Sequence, residues 1–411
     1  MSPSLNLSWA SRTLCAFVKK IRSPREFISS PLYNLPLELL LQISAYLVSP
    51  ALCSFRLTCK SLYDCTLPQF CKTYLKTITT DLFLAFLQRL DILSRNPRLC
   101  LHVCSLNING TREDNPGSNL HWERPASGLI TIPQDAVQRW QDVLQRLVNC
   151  QSFHVPPDIL TPCDTVTILL SIITSIERPL RELGLLFKAS NSVGGNRIDM
   201  ARVNNGLPQE PKFITACSNL ESLTFNFAME TEEVLFVAQI IRNATRLQRL
   251  TIDADYGEHS TSLMSHLNLY SAQITVPIPL RELTLGTAHV GSSHASTEFL
   301  ASLQHSLIKV SFTAVHLDSG DWASVLRALS KLPLLTDIST WVFGQPEFQR
   351  VHFPAILQDP VVDPVLGTKF SYTVRKLRQG QRTLMVAYSG RSMDIALQKL
   401  ADFATPYKAT G

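Results

Sequence analysis

The chain has 411 residues, 45% of them hydrophobic and 17% charged, with a formal net charge of +5. That is enough apolar material for one large core or two to three domains, which excludes a wholly disordered chain, and no apolar run reaches the roughly 18 to 20 residues that a membrane span needs. The charge is uneven: residues 1 to 100 hold 12 Lys/Arg against 5 Asp/Glu, residues 365 to 411 hold 8 against 2, and the stretch between is acidic, so the flanks suit an anionic partner and the middle is not a nucleic-acid tract.

In chain order, residues 1–30 read as a basic, flexible N-terminal arm. Arg12, Lys19, Lys20, Arg22 and Arg25 precede the first acid, Glu26, while Leu14, Phe17, Val18 and Ile21 share one helical face. Two readings stand for this segment: a mitochondrial transit peptide, or a short arm that touches membrane or nucleic acid weakly. The ten cysteines all precede residue 218, no Cys-x-x-Cys occurs, and Cys53, Cys59, Cys65 and Cys71 recur every six residues, a spacing that matches no metal-ligand set. They are expected to be reduced and buried as small hydrophobes, which places the chain in a reducing compartment, cytoplasm or nucleus.

Two helices follow. From Pro36 the positions Leu37, Leu39, Leu40, Leu41, Ile43, Ala45, Tyr46, Leu47 and Val48 leave only Glu38, Gln42 and Ser44 as polar relief, so the first helix has no wet face and needs two partners. Pro36 marks its start, and Ser49-Pro50 repeats the device for a second helix with Ser49 as cap. There Leu52, Phe55, Cys59, Leu62 and Tyr63 fall on one stripe, with Arg56 and Lys60 one turn apart on its flank. A module of about 40 residues buries too little of its own surface to leave such a helix comfortable alone, so one apolar side is expected to face another chain.

The run Leu35-Pro36, Glu38-Leu39, Ile43, Tyr46-Leu47, Leu52, Phe55-Arg56, Cys59-Lys60 and Leu62-Tyr63 resembles an F-box, which sets a domain at 31–70. Tyr63 stands where that family often has Trp, and Pro50-Ala51 replaces the usual polar residue before the second helix. The resemblance implies docking on a Skp-family adaptor, and through it on a cullin, by Leu35, Pro36, Leu39, Ile43 and Leu47 from the first helix and Leu52, Phe55, Cys59, Leu62 and Tyr63 from the second. It also implies a substrate-recognition subunit of an SCF-type ubiquitin ligase that holds a protein target, with no catalysis of its own and no cofactor. The alternative is an interaction scaffold whose helical N-terminus only caps the rest of the chain.

Residues 71–345 carry a repeat. Apolar anchors spaced three and then two apart recur as Cys150/Phe153/Val155, Leu180/Leu183/Leu185, Leu220/Leu223/Phe225, Leu247/Leu250/Ile252, Leu280/Leu283/Leu285 and Leu307/Val310/Phe312, and Leu335/Ile338 begins a seventh copy without its third anchor. Helical faces precede the strands: Trp140, Val143, Leu144, Leu147 and Val148; Val234, Leu235, Ala238 and Ile241; Phe299, Leu300 and Leu303; Trp322, Val325, Leu326 and Leu329. One helix and one strand per unit predicts stacked units with parallel strands along one side. The pattern resembles a degenerate leucine-rich repeat that lacks the usual ladder Asn. It is expected to begin near Leu75 and Ile78, continue through a helix with Leu82, Phe83, Phe86, Leu87 and Leu90 that stops before Pro97, and reach a strand at Leu106-Asn107-Ile108; 109–127 and 189–211 read as loops.

After Gly344, Pro346, Pro354, Pro360 and Pro364 predict an irregular connection. Strands over Phe370 to Val374 and Leu384 to Tyr388 flank a turn at Gln379-Gly380, and a helix with Met393, Ile395, Ala396, Leu397 and Leu400 closes the chain. Residues 346–411 thus read as a cap over the last repeat, or as a separate ligand-binding unit. The expected fold class is α/β: a small helical F-box, then an irregular leucine-rich-repeat-like solenoid, then a C-terminal cap.

The catalytic motifs are missing. There is no phosphate-cradling loop, dinucleotide turn or nucleophile elbow; Ser389-Gly390-Arg391-Ser392 reads as a turn and His121-x-Glu123 as a loop feature. Asp253 and Asp255 read as a polar strand end, and Cys100 with Cys104 lacks the second ligand pair of a zinc site. His289, His294, His305 and His316, with Asp318 and Asp321, cluster in the sequence, but their spacing puts them on different elements and favours ordinary surface or core histidines.

Overall fold

A computed structural model describes residues 35–109, 134–156, 163–176, 178–186, 209–227, 229, 231–254, 278–346, 349–376 and 382–408. The fold is mixed α/β, with a small helical region at the N-terminus followed by a sheet rich in parallel strands. Nine strands pair in chain order: β1 (Thr77–Thr80), β2 (Ser105–Ile108), β3 (Ser152–Val155), β4 (Glu182–Leu186), β5 (Ser222–Asn226), β6 (Arg249–Asp253), β7 (Glu282–Gly286), β8 (Lys309–His316) and β9 (Asp337–Gln345). Each pair is parallel.

The anchors explain the register. Leu183, Leu223, Leu250, Leu283, Val310 and Ile338 pair rung by rung, and two residues on Leu185, Phe225, Ile252, Leu285 and Phe312 form a second row. Both rows are buried. Because side chains alternate across a strand, a slip of one residue would expose both rows at once, which fixes the pairing. The opposite face carries Asn107, His154, Gly184, Thr224, Thr251, Thr284, Ser311 and Ser339 in a matching row of small or polar groups.

The seventh unit has its third anchor after all. Thr340 pairs with Phe312, is buried, and satisfies its hydroxyl by donating to the Val386 carbonyl at 3.4 Å. A polar residue at an apolar position hides the repeat from a search for hydrophobic spacing.

Helices cover the anchor rows, among them α-helices at Leu84–Ser94, Gln134–Arg146, Cys163–Ile176, Thr231–Asn243, Ser293–Ser302 and Trp322–Leu329. Three expected face residues do not take part: Val148, Leu235 and Ile395 are exposed. Val148 lies beyond the end of its helix at Arg146, and the other two sit beside the buried stripe rather than on it. The predicted first strand begins at Thr77, since Leu75 closes a π-helical turn.

The C-terminal residues add strands to the same sheet. A strand at Arg382–Ser389 pairs antiparallel with the first half of β9, and one at Gln349–His352 pairs with its second half, so the open edge of β9 is covered along most of its length. The strand at Thr405–Lys408 then pairs with Gln349–His352. The proline-rich stretch was expected to be irregular, yet it holds this strand and a short two-stranded sheet of Val361–Asp363 with Thr368–Lys369. The Gln379-Gly380 turn and the loops 109–127 and 189–211 lie wholly or largely outside the described residues, as do the arm 1–30, Asp255, His121 and Glu123.

Two histidines tie stability to pH. Burial lowers the pKa of His154, partly offset by Glu182, whose carboxylate lies 3.8 Å from Nε2; burial also lowers that of His352, partly offset by a backbone hydrogen bond with Thr405. With folded values below the ordinary 6.5, the unfolded chain binds more protons just below that pH, so this stabilisation is complete above 6.5 and is lost as pH falls below it. Urea midpoints measured between about pH 5 and about pH 7.5 should rise with pH, and the slope should flatten in a His154→Gln, His352→Gln double variant.

A candidate partner-binding face on the N-terminal helices

The N-terminal region is built from α1 (Leu37–Tyr46), α2 (Ser49–Arg56), α3 (Lys60–Cys65) and the short α4 (Leu67–Phe70). Pro36 is the residue before α1, and its carbonyl accepts from the N–H groups of Leu39 and Leu40 at 3.1 and 3.2 Å. Val48, not Ser49, caps α2, and Pro50 occupies the second helical position where its missing N–H costs nothing.

On α1 only Leu40 and Ser44 are buried, one turn apart, with Ile43 and Leu47 half-buried beside them. This stripe packs against α3 and α4. The rest of the helix stays wet although it is apolar: Leu37, Leu39 (43% exposed), Leu41 and Tyr46 (89%) flank the stripe, and Val48, Leu57 and Tyr63 are exposed beyond it. Leu37 and Leu41 lie on one flank of the stripe and Leu39 and Tyr46 on the other, so the outside of the helix stays apolar and the molecule's own core does not use it.

The proposed contact set divides. Pro36, Leu39 and Tyr63 are exposed, and Leu35, Ile43, Leu47, Phe55 and Cys59 are half-buried. Leu52 (1% exposed) and Leu62 (6%) are buried inside the module. Cys59 works within the fold, its Sγ accepting from the Leu62 N–H at 3.4 Å at the start of α3. Leu37, Leu41, Val48 and Leu57 are also exposed but lie outside the proposed set, since apolar spacing alone does not say which side of a greasy helix faces inward.

Arg56, on the flank of the apolar stripe, is buried. It is 4% exposed, with its guanidinium 4.3 Å from the Tyr63 ring centroid and 4.2 Å from that of Phe70, and it donates to Thr66 Oγ1 at 3.2 Å. Thr66 Oγ1 donates in turn to the Leu62 carbonyl at 2.5 Å. A planar, weakly hydrated guanidinium stacked between rings can be buried where an ammonium cannot, and here it clamps α2 to α3 and α4. Leu67, Cys71 and Leu75 then pack with Leu93 and Leu99, and Asp64 pairs with Arg98 at 3.1 Å, which fastens the module to the first strands and helix of the sheet.

Elsewhere the candidate chemistry is mostly explained by structure. Of the cysteines, Cys71, Cys100, Cys150 and Cys217 are buried, whereas Cys53, Cys59, Cys65 and Cys104 are only half-buried, against expectation. Burial pushes the Cys150 and Cys217 thiols up to about 12, so both stay protonated and poorly nucleophilic. Asp253 accepts from Thr287 and, at 3.4 Å, from Asn226 on neighbouring chain segments. Trp322 is buried in the core, and Trp341 is half-buried on β9. His294 pairs with Glu298 at 3.5 Å, His305 contacts Gln304, and Asp321 caps the Trp322 helix. The remaining three, His289, His316 and Asp318, come together, contrary to the expectation from their spacing.

The family model described as F-box-like matches residues 32–71, the stretch that holds these N-terminal helices. Among solved structures, a chain in the crystal structure of the Rad7 and Elc1 complex in yeast is similar, at 14% identity and TM-score 0.29 over 82% of this chain and 92% of that one. No curated protein sequence matches the chain. Among the described residues no helix is long and apolar enough to cross a membrane.

Proposed function

We propose that this chain is the substrate-recognition subunit of an SCF-type ubiquitin ligase. The F-box-like helices would hold a Skp-family adaptor and through it a cullin, while the uncovered sheet face would hold a protein target. The observation that carries the reading is the exposure of Leu37, Leu39, Leu41 and Tyr46 on a helix of an F-box-like module. A helix this apolar gains stability only when something covers it.

The mechanism is tethering. A target on the sheet is brought into the same assembly as an activated ubiquitin carried by other subunits, and a bimolecular encounter becomes an intramolecular one. The row from Asn107 to Ser339 suits this role: small polar groups leave a surface that side chains of a partner can approach, and Glu182, held 2.9 Å from Arg249 across β5, supplies charge at its border. No residue of this chain is assigned to catalysis, and the free cysteines suit the reducing conditions of cytoplasm or nucleus.

Co-expression of the full chain with a Skp-family adaptor tests the reading. A 1:1 complex that survives size-exclusion chromatography is expected. Elution of the two proteins apart would replace it with a scaffold in which the helical module only closes the end of the sheet.

A further inference from the structure

The parallel sheet brings His289, His316 and Asp318 to one place at the ends of β7, β8 and β9. Three residues with left-handed backbone lie side by side on the neighbouring strands: Thr287 (φ 44°), Ala314 (φ 54°) and Val342 (φ 55°). Such a conformation is unfavourable for a residue with a side chain, and Thr and Val are among the least suited to it. Each kink is followed two residues later by one member of a single row, His289, His316 and Gly344, which pair across the strands in parallel register. The kinks therefore align this row beyond the regular sheet.

Within the row the imidazoles stack, with centroids 4.7 Å apart and planes inclined by 34°. Gly344 makes room: a Cβ there would lie 2.3 Å from His316 Cδ2. Asp318 Oδ1 is 2.8 Å from His289 Nδ1 and 3.8 Å from His316 Nδ1. The first contact is a hydrogen bond and the second is too long for one. His316 Nδ1 is buried and has no hydrogen-bond partner among the described residues, a condition that ordinarily destabilises a fold.

The geometry points to a binding site for a divalent first-row transition metal, zinc above all, held by His289, His316 and Asp318. One ligand atom from each lies within 4.8 Å of the others, and two imidazoles with a carboxylate form a donor set suited to such ions. Adjacent donors on a tetrahedral zinc sit about 3.3 Å apart, between the 2.8 and 3.8 Å of the two Asp318 contacts, and the two imidazole donors, within 4.8 Å of each other, would close on the ion by ring rotation. A metal would occupy the orphaned nitrogen of His316 and replace the proton that His289 shares with Asp318. Three protein ligands leave one coordination position for water.

The test uses the full chain, stripped with a chelator and titrated with Zn²⁺ by calorimetry, and with Co²⁺ by visible absorption. One site per chain is expected, weakened at least ~100-fold in His289→Ala and in His316→Ala, since even groups that only support a ligand contribute 10- to 100-fold. His294→Ala and His305→Ala should bind as the parent does. Asp318→Asn, close in shape to the native residue, should lose the metal while keeping the parent circular dichroism, which separates ligand loss from misfolding. Undiminished affinity in His316→Ala and Asp318→Asn, a sulfur-to-Co²⁺ charge-transfer band that assigns the metal to cysteines, or no binding at all would each overturn the proposal.

Discussion

Replacing Leu39 and Tyr46 with aspartate should weaken capture of a Skp-family adaptor by at least ~100-fold while leaving the folded chain intact. Both side chains are already in water, so the free protein loses no core contact when they change. In a complex they would be covered, and two central anchors lost from an interface cost about 2 kcal/mol or more each, with roughly 1.4 kcal/mol for every factor of ten. Two charges placed against an apolar partner surface add a desolvation penalty in the same direction.

Leu52→Ala is the necessary contrast. Leu52 is 1% exposed and fills the module between its helices, so truncation should destabilise that region by about 2 to 5 kcal/mol. It would then weaken adaptor capture indirectly, together with a loss of helical circular dichroism. The pair of measurements, affinity by surface capture and helicity by circular dichroism, separates the exposed residues from their support. Parent-like affinity of the Leu39→Asp, Tyr46→Asp chain would remove the basis for the proposed function.

How far the sequence carried can be judged from particular residues. Strand anchors such as Leu223 and Leu250 were legible because a half-covered parallel sheet must bury the same two positions in every strand, and that demand prints a spacing on the chain. The F-box-like helices were legible from apolar content and helix starts, but which of Leu39, Leu52 and Leu62 faces outward was not. That choice depends on where α3 and α4 lie, and no periodicity along a uniformly apolar helix encodes it. The burial of Arg56 was not legible either, because it depends on the rings of Tyr63 and Phe70, which other helices bring to it.

The histidine cluster shows the same limit more sharply. His289 and His316 are 27 positions apart, one repeat, and a parallel sheet turns a separation of one repeat into direct adjacency. Spacing rules for metal ligands describe residues on one element or one hairpin, so they reject such a pair. Strands Gln349–His352 and Thr405–Lys408 were missed for a related reason: each is short, lies near proline, and owes its existence to pairing with a distant partner rather than to local preference.

Trp322→Ala should destabilise the C-terminal end of the sheet by about 3 to 5 kcal/mol, a large share of the roughly 5 to 15 kcal/mol that stabilises a typical domain. Trp322 is 1% exposed and lies at the centre of an aromatic cluster, stacked on Phe343 at 3.8 Å and edge-on to Phe312 at 5.3 Å. Its Nε1–H donates to the Gly344 carbonyl at 2.8 Å, holding the rung beside His316. Trp322→Phe keeps part of the ring contact and loses the hydrogen bond and some packed volume, so it should cost less, about 1 to 3 kcal/mol. Denaturant midpoints of the two variants measure the difference, and equal losses would show that the hydrogen bond, not the packing, dominates. β1 and β9 are eight strand spacings apart, about 38 Å, and the N-terminal helices lie at the β1 end. Adaptor capture by Trp322→Ala under native conditions should therefore match the parent. If it falls together with the midpoint, the helices and the whole sheet unfold as one cooperative unit, and the stability of the docking face is set by packing at the far end of the molecule.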